Sequence, residues 1–298
     1  MCGIVGLFLK NERLQPQLGA LTAKMLTVMN ERGPDSAGFA IYGAGHTGLV
    51  KITVRMQNAA AFGEMASAMR AGGYVLGEPT LHDSHVVFQL QASEAASGRA
   101  WLRERYPEVE IVSVGSRMEI YKEVGLPEKV AERFGLASMR GTHAIGHTRM
   151  ATESSVTTQG AHPFSTGIDQ CLVHNGSLSN HNAVRRTLKH HGLQFETDND
   201  SEVAAGYLSW RMREGASLKE ALTRSLADLD GFYTFVVGTE RGFAVLRDPI
   251  SCKPAVMAET DDYVAFGSEY RALADLPAIE TARVFEPEPA TVYAWEHD

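Results

Sequence analysis

Runs and periods of apolar residues divide the chain into strands and helices from its first residues onward. Ile4-Val5-Gly6-Leu7-Phe8-Leu9 is continuous rather than alternating, the pattern of a strand buried on both faces. Leu18, Leu21, Met25, Leu26 and Met29 recur at helical spacing, so a helix is expected over 18–32, stopped by Gly33-Pro34. Gly38–Tyr42 and Leu49–Val54 read as two strands around a glycine-rich turn, hence a hairpin. Further on, helices are expected over 59–70, 97–105 and 126–134, and strands over 86–90 and 109–114. Strands return at 142–149 and 170–174, followed by helices over 180–191 and 201–213. The last third is mainly strand, at 233–238, 243–247, 255–258, 263–267 and 291–295, with helices over 218–229 and 269–276. Many strands with a few paired helices predict an α+β fold of layered sheets with helices outside. Without a repeat, a low-complexity stretch or a flexible linker, the expectation is one domain over 2–298 with an α/β insertion at about 72–140.

Charge narrows the partners. A net charge of −8, with lysines and arginines scattered, argues against nucleic acid or an anionic membrane surface. Three cysteines, Cys2, Cys171 and Cys252, are odd in number, far apart and without a CxxC, so neither a disulfide framework nor a structural zinc site is expected. A reducing cytoplasm suits them. No stretch approaches the roughly 18 uninterrupted apolar residues of a membrane span. The expectation is a soluble chain with no metal and no cofactor of its own.

The candidate chemistry starts at Cys2, directly behind Met1. Methionine is readily removed before a small side chain, and the chain would then open with a thiol and a free α-amine on one residue. Their ordinary pKa values, about 8.5 and about 7.7–8.0, are close enough for the amine to take the thiol's proton. One residue would thus supply nucleophile and base, as an N-terminal threonine does. A buried cysteine in a first strand is the plainer alternative for Cys2 taken alone. Four further clusters follow: Arg32-Gly33-Pro34-Asp35-Ser36, Gly146-His147-Thr148-Arg149-Met150-Ala151-Thr152, His174-Asn175-Gly176 and Asp198-Asn199-Asp200-Ser201-Glu202. Singly these read as a helix stop, a charged strand end, a turn and a helix N-cap. Gly43-Ala44-Gly45-His46-Thr47-Gly48 fits GxGxxG, but a β-branched strand follows where a phosphate-binding helix start would be needed. His82-Asp83-Ser84-His85 has ligand-type residues, yet two histidines and an acid on a loop are ordinarily polar surface. His143 and His147 fall on a strand, so no helical face unites them.

In this order behind Cys2, the clusters resemble the class II glutamine amidotransferases, which belong to the N-terminal-nucleophile hydrolases. The resemblance covers Cys2–Tyr42 and Gly141 to about Leu273, and includes Arg247-Asp248-Pro249 and Gly267-Ser268-Glu269. It implies a four-layer αββα sandwich of two antiparallel sheets. It also implies that Cys2 attacks the carboxamide carbon of glutamine, and that Asn175 and the N–H of Gly176 form the oxyanion hole. Arg149 would take the substrate carboxylate, Asp200 its ammonium group, and Thr152 would assist binding. Arg32 and Gly33 would position the new N-terminus. Glutamate would form through a thioester and ammonia would pass to a synthase domain. Two places depart from the pattern. Glu153 stands where the family often has histidine, which bears on the substrate pocket or the partner contact. Cys252 and Lys253 replace the usual glycine and arginine after Arg247-Asp248-Pro249.

Within that family, Gly141–Ser154 and Gln170–Asn180 are most similar to the separate amidotransferase subunits of N-methylglutamate synthases, which are related to glutamate synthase. This implies partner subunits of the FMN-binding and GXGXG types, with FMN and an iron–sulfur cluster held by the partners. No synthase domain is expected after Asp298. The amine delivered could be ammonia or methylamine. Two alternatives stay open: an amidotransferase feeding another synthase, and a non-catalytic assembly subunit. The insertion, lacking a catalytic cluster, is expected to face the partners.

Overall fold

The apolar run behind Cys2 forms the strand Gly3–Leu9, and its side chains feed two cores at once. Val5, Leu7 and Leu9 face a helical layer containing Leu18–Val28 and Pro127–Arg133, while Ile4 and Phe8 face a second sheet. Period-two alternation with both faces buried is why the run is continuously apolar. A computed structural model describes residues 2–58, 61–151 and 155–297.

Gly3–Leu9 lies in a seven-stranded antiparallel sheet. The order is Arg283–Phe285, Val256–Glu259, Tyr263–Gly267, Gly3–Leu9, His143–Arg149, Ser36–Tyr42, Met118–Val124. A five-stranded antiparallel sheet runs Val292–Glu296, Gly242–Arg247, Gly231–Gly238, Gln170–Leu178, Phe164–Gly167. Between them Ile4, Phe8 and Ile145 meet Val173, Val236 and Val245. The outer face of the five-stranded sheet packs Leu172, Phe235 and Val237 on helices Asp200–Arg213 and Leu218–Asp228. Helices, sheet, sheet, helices: the α+β, four-layer αββα arrangement is present.

The hairpin expected between Gly38–Tyr42 and Leu49–Val54 does not form. Ser36–Tyr42 pairs with Met118–Val124 in the large sheet, whereas Leu49–Arg55 pairs with His85–Gln91 and Glu110–Gly115 in a separate four-stranded sheet completed by Thr80–His82. Met118–Val124 escapes recognition because three of its residues are charged. Folding neutralises them: Glu119 meets Lys51 at 2.7 Å, Lys122 meets Glu110 at 3.5 Å, and Glu123 meets Arg55 and Arg133 at 3.8 Å. The four-stranded sheet carries helices Phe62–Ala71 and Ala95–Arg105 and has its own core of Ile52, Phe62, Met65, Phe88 and Leu90. It draws its strands from 49–115, beginning before the 72–140 segment, while 118–133 belongs to the large sheet and its helical layer.

Two smaller corrections concern the helix ends. Leu18–Val28 stops four residues short of Arg32, and 269–276 holds one 3-10 turn, Tyr270–Ala272, instead of a helix. Pro277 closes that segment, and the residue before a proline avoids helical backbone. His85, expected on the surface, is buried against Phe134 with ring centroids 4.7 Å apart, and Asp83 pairs with Arg133. Among the described residues no cluster suits a metal ion, and no helix is long and apolar enough to cross a membrane.

Asp169, in the turn between the strands Phe164–Gly167 and Gln170–Leu178, ties the crossover from the small sheet to the large one onto the five-stranded sheet. Its buried carboxylate accepts the N–H groups of Ser116, Arg117 and Met118 at 2.6, 2.9 and 2.9 Å, at the turn where the chain passes between the two sheets. Asp169→Ala strands three donors and should cost about 3 kcal/mol, since a hydrogen bond to a charged group is worth ~1.5–3 kcal/mol and the three overlap. Urea unfolding measures this, and an unchanged midpoint contradicts the role.

Candidate active site

Cys2 precedes the first strand, and neighbours on both sides hold the chain there. Thr148 Oγ1 accepts the Gly3 N–H at 3.2 Å, and Ser268 Oγ accepts the Ile4 N–H at 2.9 Å while the Ser268 N–H returns to the Ile4 carbonyl at 2.9 Å. The carbonyl oxygen of Cys2 accepts Arg32 Nε at 3.0 Å and Asn175 Nδ2 at 3.2 Å. Its thiol is half-buried, 3.9 Å from the Met150 carbonyl. Cys171 is buried in the inter-sheet core, and burial pushes its thiol up to about 12. Cys252 is exposed, far along the chain from any of the motifs that meet Cys2.

The motif Arg32-Gly33-Pro34-Asp35 wraps this point residue by residue. The helix ends at Val28, and the Met29 carbonyl accepts the N–H groups of Arg32 and Gly33, which turns Arg32 inward. The Arg32 guanidinium, buried, also meets Glu269 at 2.6 Å, and that hydrogen bond holds Glu269 below the usual carboxylate range. Gly33 lies on the backbone of Thr148 and Arg149: a Cβ there would come 2.5 Å from Thr148 C, so only glycine fits. Asp35 donates its N–H to the Arg149 carbonyl at 3.1 Å and accepts the Ala151 N–H at 2.8 Å. Arg149, the last residue of its strand, is buried and donates to the Gly160 carbonyl at 3.2 Å. Thr152 and Glu153 lie outside the described residues.

Asn175 and Gly176 occupy the strand Gln170–Leu178. Gly176 has φ +149, and a Cβ would sit 2.0 Å from the Phe232 carbonyl oxygen of the paired strand, so the position requires glycine. Asp200 opens the helix Asp200–Arg213, and its Oδ2 accepts the Leu178 N–H at 2.9 Å. Burial raises its pKa, but His174, the Leu178 N–H and the charge of His181 outweigh burial and bring it down to about 2. Hydrogen bonds thus unite Cys2, Arg32 and Asn175 directly. Gly33 and Arg149 join them through backbone packing, and Asp200 through the strand that carries Asn175.

Beneath Asn175 lies a histidine layer that sequence reading did not assemble. His147, on the inter-sheet face of its strand, stacks on His162 with ring centroids 4.0 Å apart. His147 Nε2 donates to the His174 carbonyl at 3.1 Å. Ser201 Oγ lies 2.8 Å from His162 Nε2 and 2.9 Å from His174 Nδ1, and 3.4 Å from Asp200 Oδ1. A hydroxyl has one hydrogen, so at least one of the two rings must donate to it. Ser201 thereby fixes ring tautomers next to Asp200. Glu269, Ser268, Thr148, Asp35 and Ser201 all support the site without having been assigned a part. Gly267-Ser268-Glu269, directly after a strand, was the signal available for the first two.

A family model described as a glutamine amidotransferase domain matches residues 147–275. The chain is 59% identical over 298 residues to the glutamine amidotransferase-like protein GlxB of Rhizobium meliloti (strain 1021), covering all of this chain and 99% of that protein. It is 32% identical to a putative glutamine amidotransferase of Methanothermobacter thermautotrophicus, over 99% of this chain and 100% of that protein. Among solved structures, the glutamine phosphoribosylpyrophosphate amidotransferase from B. subtilis superimposes with a TM-score of 0.61 at 20% identity. That match covers 99% of this chain and 49% of the larger protein, a likeness of fold.

Burial holds His85, His143 and His147 down to about 3 and His162 well below its ordinary value. These rings stay neutral in the folded chain while their unfolded counterparts take up protons below pH about 6.5. Stability is therefore full above pH about 6.5 and falls as pH drops toward 3, because the unfolded state binds more protons. The thermal midpoint should decrease steadily from pH 7.5 to 5; a flat profile contradicts neutral burial of the four rings.

Proposed function

Because the chain belongs to the class II glutamine amidotransferases, we propose that it hydrolyses the side-chain amide of glutamine at Cys2 once Met1 is removed. The observation that carries this reading is the grip on Cys2: Arg32 and Asn175 hold its carbonyl while its thiol stays half-open beside Met150. The freed α-amine accepts the thiol proton, and sulfur bonds to the carboxamide carbon. A carboxamide has two N–H donors, and Cys2 takes one of those on Asn175. The other, with the Gly176 N–H, suits the oxyanion that then develops. Collapse breaks the C–N bond, and ammonia leaves with the proton returned by the amine. Water cleaves the thioester to glutamate and restores the thiol. Arg149 binds the substrate carboxylate through its fork of donors. Asp200, kept ionised at neutral pH, binds the α-ammonium, with Thr152 assisting.

The ammonia, or an amine released in its place, goes to a synthase partner. The finer reading is a subunit of N-methylglutamate synthase working with FMN-binding and GXGXG-type partners, with FMN and an iron–sulfur cluster in those partners. The stretches 141–154 and 170–180 support it.

Intact mass of the active protein should show a chain lacking Met1, and Cys2→Ala should abolish release of ammonia from glutamine while leaving circular dichroism unchanged. Retained Met1 in a fully active preparation sinks the proposal. Asn175→Ala should lower kcat by roughly 10²–10³-fold with little change in KM, because its second donor acts on charge that exists only in the transition state. A change confined to KM removes the oxyanion assignment. For the partner reading, the complex assembled with the two synthase-type subunits should convert glutamate and methylamine to N-methylglutamate; no turnover removes it.

A further inference from the structure

A polar cleft separates helix Ala95–Arg105 of the four-stranded sheet from the loop 192–197 and the strand Phe164–Gly167. Its inner part encloses about 220 Å³, and it shares Arg103, Gln194 and Glu196 with a wider trough. None of the residues that hold Cys2 lines it. Arg99 and Arg103 stand one helical turn apart and both face the cavity, an arrangement in which like charges repel.

The acids around the cavity are already matched. Glu196 pairs with Arg103 at 3.2 Å, and Glu110 lies between Lys122 at 3.5 Å and Arg55 at 3.7 Å. Glu202 accepts the N–H groups of Glu196 and Thr197, both at 2.8 Å, and the Thr197 hydroxyl at 2.7 Å. Arg213 donates to the His191 carbonyl at 2.7 Å. Arg99 is the exception: its Nε is sealed from solvent with no acceptor among the described residues, and burial and the neighbouring charge of Arg103 oppose its ionisation more than the charge of Glu196 favours it. Ser113, 3% exposed on the strand Glu110–Gly115 of the same four-stranded sheet, likewise has a buried Oγ without a partner among the described residues. A half-buried guanidinium and a buried hydroxyl on the lining of one polar cleft call for an acceptor that no described residue provides.

We propose that this cleft is a binding site for a small organic anion, whose carboxylate or phosphate pairs with Arg99 and whose further oxygen reaches Ser113 Oγ. The planar guanidinium matches either group through two donors. The inner volume, below that of drug-sized pockets, selects an acid of metabolite size. The ligand bridges the four-stranded sheet and the carboxy-terminal half, so it stabilises the folded chain by mass action. This is independent of glutamine hydrolysis.

The full-length protein should be titrated by calorimetry with malonate, citrate and inorganic phosphate at constant ionic strength set with sodium chloride, and its thermal midpoint followed in parallel. At least one probe should bind saturably in the millimolar range or tighter, one per chain, and raise the midpoint. The carboxylate and phosphate arms decide which head group the site prefers. Arg99→Gln should weaken that binding roughly tenfold or more, the loss expected for one charge-assisted hydrogen bond, with Ser113→Ala weakening it less. Arg99→Lys, which keeps charge and bulk, should retain part of it and serves as the check on folding. Saturation by none of the three probes, or equal affinity in wild type and Arg99→Gln, overturns the proposal.

Discussion

The carbonyl oxygen of Cys2 is held from two layers at once, by Arg32 at the end of the first helix and by Asn175 in the five-stranded sheet. A chain start frays unless tied down. Here the tie is part of the inter-sheet packing, so the direction of the thiol depends on how the two sheets meet. Ser268 and Thr148 extend the grip along both edges of the first strand. Glu269 completes it by neutralising Arg32, whose buried charge would otherwise be expensive to hold in place.

The middle of an αββα sandwich is ordinarily apolar, and most of this one is. Toward the Cys2 end it changes character: His147, His162, His174 and Ser201 replace aliphatic side chains, and Asn175 and Asp200 follow. Neutral rings at His147 and His162 make that substitution tolerable, because burying a neutral, hydrogen-bonded imidazole costs far less than burying its cation. The same economy of charge appears at the edge of the seven-stranded sheet. There Met118–Val124 carries Glu119, Lys122 and Glu123 into a largely buried strand, each opposite a basic or acidic residue of the small sheet.

Much of the fold was legible in the pattern of residues. Buried strands such as Gly3–Leu9 and Tyr263–Gly267 announce themselves through continuous apolar runs, and long amphipathic helices through their period. Strand partnership was not legible: Ser36–Tyr42 and Leu49–Arg55 each look like a hairpin arm, and nothing local says that they join different sheets. Met118–Val124 was hidden because its polarity makes sense only beside Lys51, Arg55 and Glu110. At the site, Cys2, Arg32, Gly33, Arg149, Asn175, Gly176 and Asp200 were visible as motif residues. Their supports were not, since Glu269 and Ser201 acquire meaning only by contact.

What the amino-acid sequence determined alone was the local chemistry: which residues carry a thiol, a fork of donors or a carboxylate, and which segments extend or coil. Those properties depend on near neighbours in the chain. The tertiary structure alone decided that Arg32 and Asn175, 143 positions apart in the sequence, converge on one carbonyl oxygen. It also decided that Asp169 caps the turn that joins two other sheets and that Arg99 and Ser113 line one cleft. Such meetings arise from the packing of whole layers, and layer packing is set by the sum of many weak apolar contacts that no short segment specifies.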